Sequence, residues 1–99
     1  MRVLLTGASG FLGSHLISHL ENDKNYVTCL SRDILSNEKK LYDFIKLQQS
    51  KMKSNYDVFI HLAAELDNTS QKLFLSNVKL TKKLLNICSK TKIKRFVFA

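Results

Sequence analysis

The sequence predicts an α/β fold in which helices cover a doubly wound parallel sheet. An apolar run from Met1 to Thr6 ends at a glycine, as is typical of a strand buried on both faces. Apolar residues then recur at helical spacing from Phe11 to Leu20, and a second apolar run follows from Tyr26 to Leu30. A strand, a glycine turn, a helix and a strand within about 30 residues form a βαβ unit, whose crossover is right-handed.

The rest of the chain continues this alternation. Residues 34–55 are polar and rich in Lys and Gln, but their apolar residues lie loosely at helical spacing, which predicts a helix. Residues 57–64 form an apolar run that ends in small side chains and predict a buried strand. Residues 71–90 carry one apolar face and predict a long amphipathic helix, and residues 95–99 begin another strand. We therefore expect residues 1–99 to form one α/β domain or an incomplete portion of one.

Composition excludes several classes of protein. With 44% hydrophobic residues, three glycines and no proline, the chain is not collagen-like, of low complexity or disordered. The two cysteines lie in apolar segments without metal-ligand spacing, so we expect two buried thiols in a reducing compartment. The N-terminal apolar run is far shorter than the roughly 20 residues of a membrane span. We expect no membrane association and a cytoplasmic location.

The net charge of +8 is concentrated towards the C-terminus, because no acidic residue follows Asp67. Such a basic segment could bind nucleic acid or phosphorylated metabolites. No aromatic residues alternate with the lysines to stack on bases, so the pattern favours a solvated helix face over a nucleic-acid site. The basic residues concerned are Lys72, Lys79, Lys82, Lys83, Lys90, Lys92, Lys94 and Arg95.

Three glycines in the sequence TGASGFLG directly follow the first strand and open the first helix. Gly7 permits the backbone angles of a tight turn, Gly10 permits close approach of a phosphate, and Gly13 permits close packing of helix on strand. The positive end of the helix dipole would then face an anion. The motif therefore predicts a site for the pyrophosphate of a dinucleotide. It lacks the Gly-Lys-Ser/Thr ending of a triphosphate-binding loop.

The segments TGASGFLGSHL, DVFIHLAA and RFVFA, together with Asn77, resemble the N-terminal part of the extended short-chain dehydrogenase/reductases, the NAD(P)-dependent epimerase/dehydratase group. The resemblance covers nearly the whole chain and is weakest over residues 34–55. It implies a Rossmann-type fold, truncated after about five strand positions. It also implies that Phe11 and Leu12 lie along the pyrophosphate and that Asn77 holds the cofactor. The residues that would line the adenosine and nicotinamide-ribose side are Leu62, Ala63 and Ala64.

The end of the second strand decides the choice of cofactor. An acidic residue there would accept hydrogen bonds from the ribose 2′-hydroxyl of NAD, whereas a basic residue favours the 2′-phosphate of NADP. Ser31 occupies the usual acidic position and Arg32 follows it, which favours NADP(H). Asp33, twenty residues after Gly13, keeps NAD(H) open as the alternative.

In the family that the chain resembles, hydride transfer depends on a Ser/Thr and a Tyr-x-x-x-Lys pair, all of which lie beyond the strand that begins at Arg95. The segment from Tyr42 to Lys46 matches the Tyr-x-x-x-Lys pattern. It lies on the adenosine half of the sheet, however, out of reach of the nicotinamide. His61, at a buried strand end, is interpreted as a hydrogen-bonded core residue or a neighbour of the cofactor rather than as a base.

The resemblance implies the cofactor-binding part of an epimerase, dehydratase or reductase that acts on a sugar nucleotide or a related carbonyl or hydroxyl compound. We expect no turnover by residues 1–99 alone and no metal site. One alternative is a non-catalytic nucleotide-sensing or interaction module that uses the basic face, and a less favoured one is a nucleic-acid binder. The exposed edge of the last strand would permit a homo-oligomer.

Overall fold

The computed structural model describes residues 1–7, 11–62 and 71–98, and for residues 11, 12 and 71–77 it describes the backbone alone. Strands and helices alternate as the sequence predicts, with a short additional helix after the second strand. The strands are β1 (Arg2–Thr6), β2 (Tyr26–Cys29), β3 (Val58–His61) and β4 (Arg95–Phe98). The helices are α1 (Phe11–Asn22), α2 (Arg32–Leu35), α3 (Glu38–Met52) and α4 (Gln71–Lys90).

All the neighbouring strands run parallel, in the order β2-β1-β3-β4. The chain passes from β1 to β2 on one side and then returns to place β3 on the other side of β1. The three crossovers in such a sheet are right-handed. The crossover through α1 runs in the opposite direction to those through α3 and α4, so α1 lies on one face and α3 and α4 lie on the other. The predicted doubly wound α/β class is confirmed. The reversal of strand order lies between β1 and β3, which is where open α/β sheets bind ligands.

The described residues form four strands, whereas the sequence suggested about five strand positions. The usual order in doubly wound sheets is 3-2-1-4-5-6, and the four strands correspond to positions 2, 1, 4 and 5. The chain between β2 and β3 forms α2 and α3, which confirms the predicted helix. Asn37 caps α3, because its Oδ1 accepts hydrogen bonds from the backbone N–H groups of Lys39, at 2.8 Å, and Lys40, at 3.1 Å.

The main core lies between the sheet and the pair of helices α3 and α4. Alternate residues of a strand point to opposite faces, so Leu4 and Phe59 face these helices from neighbouring strands. Phe59 also packs against Phe96 of β4, with ring centroids 5.6 Å apart. The other buried members of this cluster are Leu30, Leu41, Ile45, Tyr56, Leu84, Ile87, Cys88 and Ile93.

The two cysteines differ in environment. Cys88 is buried in the core on α4, as expected, but Cys29 is exposed. The prediction of two buried thiols is therefore wrong for Cys29, because β2 pairs with β1 alone and its second edge carries no strand among the described residues. Among the lysines of α4 whose side chains are described, Lys79, Lys82 and Lys90 are exposed, as expected of a solvated face, and Lys83 is partly exposed. Within the described part of the chain, no helix has both the length and the hydrophobicity needed to cross a bilayer.

Gln49 is a buried polar residue that connects three segments at the amino end of the sheet. Its Oε1 accepts a hydrogen bond from the backbone N–H of Tyr56 at 2.8 Å, and its Nε2 donates to the carbonyl of Thr91 at 3.1 Å. The side chain therefore joins α3 to the segments that lead into β3 and β4. Its polar atoms are satisfied although the residue is only 7% exposed.

We expect Gln49→Ala to lower the free energy of unfolding by about 1–3 kcal/mol, because it leaves a buried N–H and a buried carbonyl without partners. Urea unfolding followed by circular dichroism measures this loss. The matched control is Gln48→Ala, since Gln48 is the neighbouring glutamine and is partly exposed. It should change stability by no more than about 0.5 kcal/mol. Equal losses in the two variants would contradict the bridging role of Gln49.

Candidate functional site

The candidate site lies at the carboxyl edge of the sheet, where β1 and β3 end side by side. Thr6 and His61 are register partners at these ends, and the chain leaves them through Gly7 and Leu62. The backbone N–H of Leu62 still donates to the carbonyl of Thr6 at 3.3 Å. The two segments that follow the strands therefore begin in direct contact.

Gly7 combines an unusual backbone conformation with a tight contact. Its φ of 78° lies in the left-handed region, which side chains strongly disfavour. A Cβ built on Gly7 would lie 2.9 Å from both the Cβ and the carbonyl oxygen of Leu62, which is too close for any side chain. Leu62 is itself buried. Gly7, directly after β1, is therefore packed against the end of β3.

Helix α1 starts at Phe11, just beyond this turn, so its amino end is at the same edge of the sheet. No acidic residue occupies its first turn, and Gly13 in that turn is buried. The first N–H groups of a helix lack partners within the helix and carry partial positive charge. This end of α1 is therefore electrostatically suited to an anion such as a pyrophosphate.

The carboxyl end of β2 lies on the same edge and carries Ser31 and Arg32. The Ser31 hydroxyl oxygen caps α2 by accepting a hydrogen bond from the backbone N–H of Ile34 at 3.3 Å. Arg32 begins α2 and is exposed. Asp33, the acidic alternative, is also exposed and pairs with Lys40 at 3.5 Å. The cation at this strand end is thus open to a ligand, whereas the nearby carboxylate already has a cationic neighbour.

Comparison with known proteins identifies the family. The model of the NAD dependent epimerase/dehydratase family matches residues 3–99. The chain belongs to this family. Among curated members, the decarboxylating sterol-4-alpha-carboxylate 3-dehydrogenase of Dictyostelium discoideum is 34% identical over 103 residues, which cover 90% of this chain and 31% of that protein.

Solved structures show the same Rossmann fold. UDP-N-acetylglucosamine 4-epimerase from Bacillus cereus superposes with a TM-score of 0.76 at 22% identity, over 99% of this chain and 36% of that one. The NADP-bound GDP-L-fucose synthetase from Naegleria fowleri gives a TM-score of 0.67 at 21% identity, over 98% of this chain and 29% of that one. The chain spans about a third of the length of each of these three proteins.

The structure brings several of the predicted site residues to one edge and leaves others undescribed. Gly7, Gly13, Ser31, Arg32 and Leu62 follow the carboxyl ends of three neighbouring strands. The remaining predictions lie wholly or partly outside the described residues. Gly10, Ala63 and Ala64 are outside them, and for Phe11, Leu12 and Asn77 only the helical backbone is described.

Thr6 was not among the predicted site residues, yet its Oγ1 lies 2.5 Å from Nδ1 of His61 in a buried hydrogen bond. Thr6 looks like the last residue of an ordinary apolar strand, and its partner is 55 positions away along the chain. His61 is a hydrogen-bonded core residue, in agreement with its interpretation above. Its burial lowers the pKa of the imidazole below the usual value, because desolvation disfavours the charged ring.

We expect Gly7→Ala to lower the free energy of unfolding by about 1–3 kcal/mol or more, because the methyl group meets both the left-handed strain and the Leu62 contact. Urea unfolding measures the loss. Lys53→Gly is the control, since Lys53 also has a left-handed backbone, with φ of 55°, at the end of α3. This control should leave stability unchanged or slightly raised. A Gly7→Ala variant as stable as the wild type would contradict the close packing of the turn.

We expect the stability of the protein to fall as the pH drops below about 6.5, the pKa of an ordinary histidine. Because the folded state lowers the pKa of His61, the unfolded state binds the proton more readily and gains population as pH falls towards the lowered value. Urea midpoints at pH 7.5 and pH 5 should differ more in the wild type than in His61→Gln. The exposed His19 supplies the control, His19→Gln, which should keep the wild-type difference. An unchanged difference in His61→Gln would be evidence against this assignment.

Proposed function

We propose that this chain binds an NAD(P) dinucleotide across the carboxyl edge of its sheet. We further propose that it is the cofactor-binding part of an enzyme that acts on a sugar nucleotide or a related carbonyl or hydroxyl compound. One observation carries the proposal: Gly7, in a left-handed turn packed on Leu62, lies where the strand order reverses. This is the place in an open α/β sheet where the ends of two neighbouring strands leave a crevice.

The pyrophosphate is assigned to the turn and the start of α1. Gly7 and Gly10 supply backbone without Cβ atoms, and the first N–H groups of α1 supply donors with a favourable dipole. Buried Gly13 lets the helix pack closely enough to aim those donors. Phe11 and Leu12, as the first residues of α1, would lie along the phosphates. In this assignment, neutral backbone donors rather than lysines would contact the pyrophosphate.

The adenosine ribose is assigned to the end of β2, where Arg32 favours the 2′-phosphate of NADP(H). One observation supports this preference: Arg32 is exposed at the first position of α2, so its guanidinium is open to a phosphate. The family description names NAD, and the fucose synthetase neighbour holds NADP. The residues that would line the remaining part of the cofactor are Leu62, Ala63, Ala64 and Asn77.

The reaction class is proposed from the family. A bound nicotinamide supplies hydride transfer to or from a carbonyl or hydroxyl carbon. The residues of this chain hold and orient the cofactor for that step. The UDP-N-acetylglucosamine epimerase and the fucose synthetase are named for sugar-nucleotide chemistry, and the Dictyostelium relative for a sterol carboxylate, so we propose sugar nucleotides as the first substrates to test.

Other expectations from the sequence stay predictions. They include the cytoplasmic location, the lack of turnover by these residues alone and a homo-oligomer through the edge of β4, where Val97 and Phe98 are 45% and 56% exposed. The alternative of a nucleotide-sensing or interaction module predicts the same cofactor binding, together with a stable partner complex on the basic face of α4. Nucleic-acid binding would require an affinity that falls steeply with salt.

Titration with NADPH and NADH, followed by the fluorescence of the nicotinamide, tests the proposal. We expect saturable binding of NADPH by the wild type and weaker binding of NADH. Arg32→Ala should weaken NADPH binding by about 10- to 100-fold, because it removes a charge-assisted hydrogen bond to the 2′-phosphate. The affinity for NADH, which lacks this phosphate, should stay within about twofold of the wild type.

The matched control is Arg95→Ala. Arg95 is exposed at the start of β4, so it lies at the amino ends of the strands, away from the candidate site at their carboxyl ends. This variant should bind both dinucleotides like the wild type. If the wild type saturates with neither dinucleotide, the proposed function is wrong. If Arg32→Ala weakens NADH and NADPH equally, the 2′-phosphate assignment is wrong although the binding site stands.

A further inference from the structure

Thr6 and His61 form a side-chain connection between the two strands that flank the candidate site. Thr6 is the last residue of β1, His61 is the last residue of β3, and the two are paired in the sheet register. The Oγ1 of Thr6 and the Nδ1 of His61 are 2.5 Å apart. Register partners on parallel strands point to the same face, so the hydrogen bond requires no departure from regular strand geometry. This side-chain hydrogen bond joins the last pair of residues in the backbone ladder between β1 and β3.

Burial makes this hydrogen bond costly to break. Thr6 is 1% exposed and His61 is 6% exposed, so neither polar group can exchange its partner for bulk water. Breaking the bond would leave a buried polar group without a partner, which is strongly unfavourable. The imidazole is also held by aromatic neighbours on β4, since its ring centroid lies 5.5 Å from that of Phe98 and 6.4 Å from that of Phe96. The pair therefore has one well-defined arrangement.

The covalent neighbours of the pair are the residues that touch across the site. Gly7 follows Thr6, and Leu62 follows His61. The position of a Cβ on Gly7 would be 2.9 Å from atoms of Leu62, so no free space separates the turn from the end of β3. A change in the separation of Thr6 and His61 is therefore passed directly to the Gly7 turn and to Leu62. These are the residues to which the pyrophosphate and nucleoside parts of the cofactor are assigned.

We propose that Thr6 and His61 are positioning residues for the dinucleotide. Their hydrogen bond holds Gly7 against the end of β3, and thereby fixes the relative position of the two segments that would contact the cofactor. This inference rests on the proposed function. Neither side chain needs to contact the dinucleotide, because supporting residues act by holding a binding geometry to within about 0.5 Å.

The test compares dinucleotide affinity in folded variants. Thr6→Val removes the hydroxyl at nearly constant shape, and His61→Phe removes the nitrogen but keeps an aromatic ring beside Phe98. We expect each to weaken NADPH binding by about tenfold or more, as is typical of a lost coupling within a site. Thr6→Ser keeps the hydroxyl and should bind within about threefold of the wild type. Circular dichroism at the titration temperature establishes that each variant is folded.

Thr28→Val is the control for loss of a hydroxyl on the same sheet. The Thr28 Oγ1 bonds the Tyr56 hydroxyl at 2.8 Å, away from the glycine turn. This variant should be less stable than the wild type and should bind NADPH with unchanged affinity. The double variant Thr6→Val/His61→Phe should bind no more weakly than either single variant, because both substitutions remove the same hydrogen bond.

Three outcomes would overturn the proposal. Wild-type affinity in folded Thr6→Val and His61→Phe would make the pair purely structural. If the loss of NADPH affinity in the double variant equals the product of the losses in the two single variants, the two residues act independently. Absence of NADPH and NADH binding by the wild type would refute the proposed function itself, and this inference with it. If Thr6→Val does not fold, the comparison of His61→Phe with Thr6→Ser decides the question.

Discussion

The approach of β1 to β3 at their carboxyl ends is the constraint on which the rest of the site depends. Gly7 has a left-handed φ of 78°, and a Cβ there would lie 2.9 Å from Leu62, so any other residue would be strained at this position. Helix α1 starts four residues after Gly7, so its positive end lies at the same edge of the sheet as this contact. Gly7 and the end of β3 are in direct contact, so a displacement of one is passed to the other.

Buried hydrogen bonds hold β3 at both of its ends. At the amino end, Gln49 bonds the backbone N–H of Tyr56 and the carbonyl of Thr91. At the carboxyl end, His61 bonds Thr6. The apolar contacts of Phe59 between these ends stabilise the strand but are non-directional. Hydrogen bonds between buried groups depend on distance and angle, so they determine the position of the strand as well as adding to its stability.

The side of the sheet that would bind adenosine differs from the usual doubly wound arrangement. In the usual arrangement, the chain after β2 forms a third strand that pairs with it. Here the described chain between β2 and β3 forms α2 and α3 instead, so the outer edge of β2 is unpaired and Cys29 is exposed. The short helix α2 places Arg32 directly at the strand end, with Ser31 as its cap. Selectivity for the ribose substituent in our proposal therefore depends on an exposed cation at a helix start.

The amino-acid sequence by itself determined the α/β class, the order of the four strands and three longer helices, and the glycine that follows β1, because apolar periodicity and glycine spacing are local signals. It also indicated a helix within residues 34–55. Only the tertiary structure revealed the bond between Thr6 and His61, the bridge made by Gln49 and the exposure of Cys29. The first two join residues 55 and 42 positions apart, and the third depends on which strand lies beside β2. Such contacts are decided by the assembly of the sheet, because no local pattern specifies which distant residue will become a neighbour.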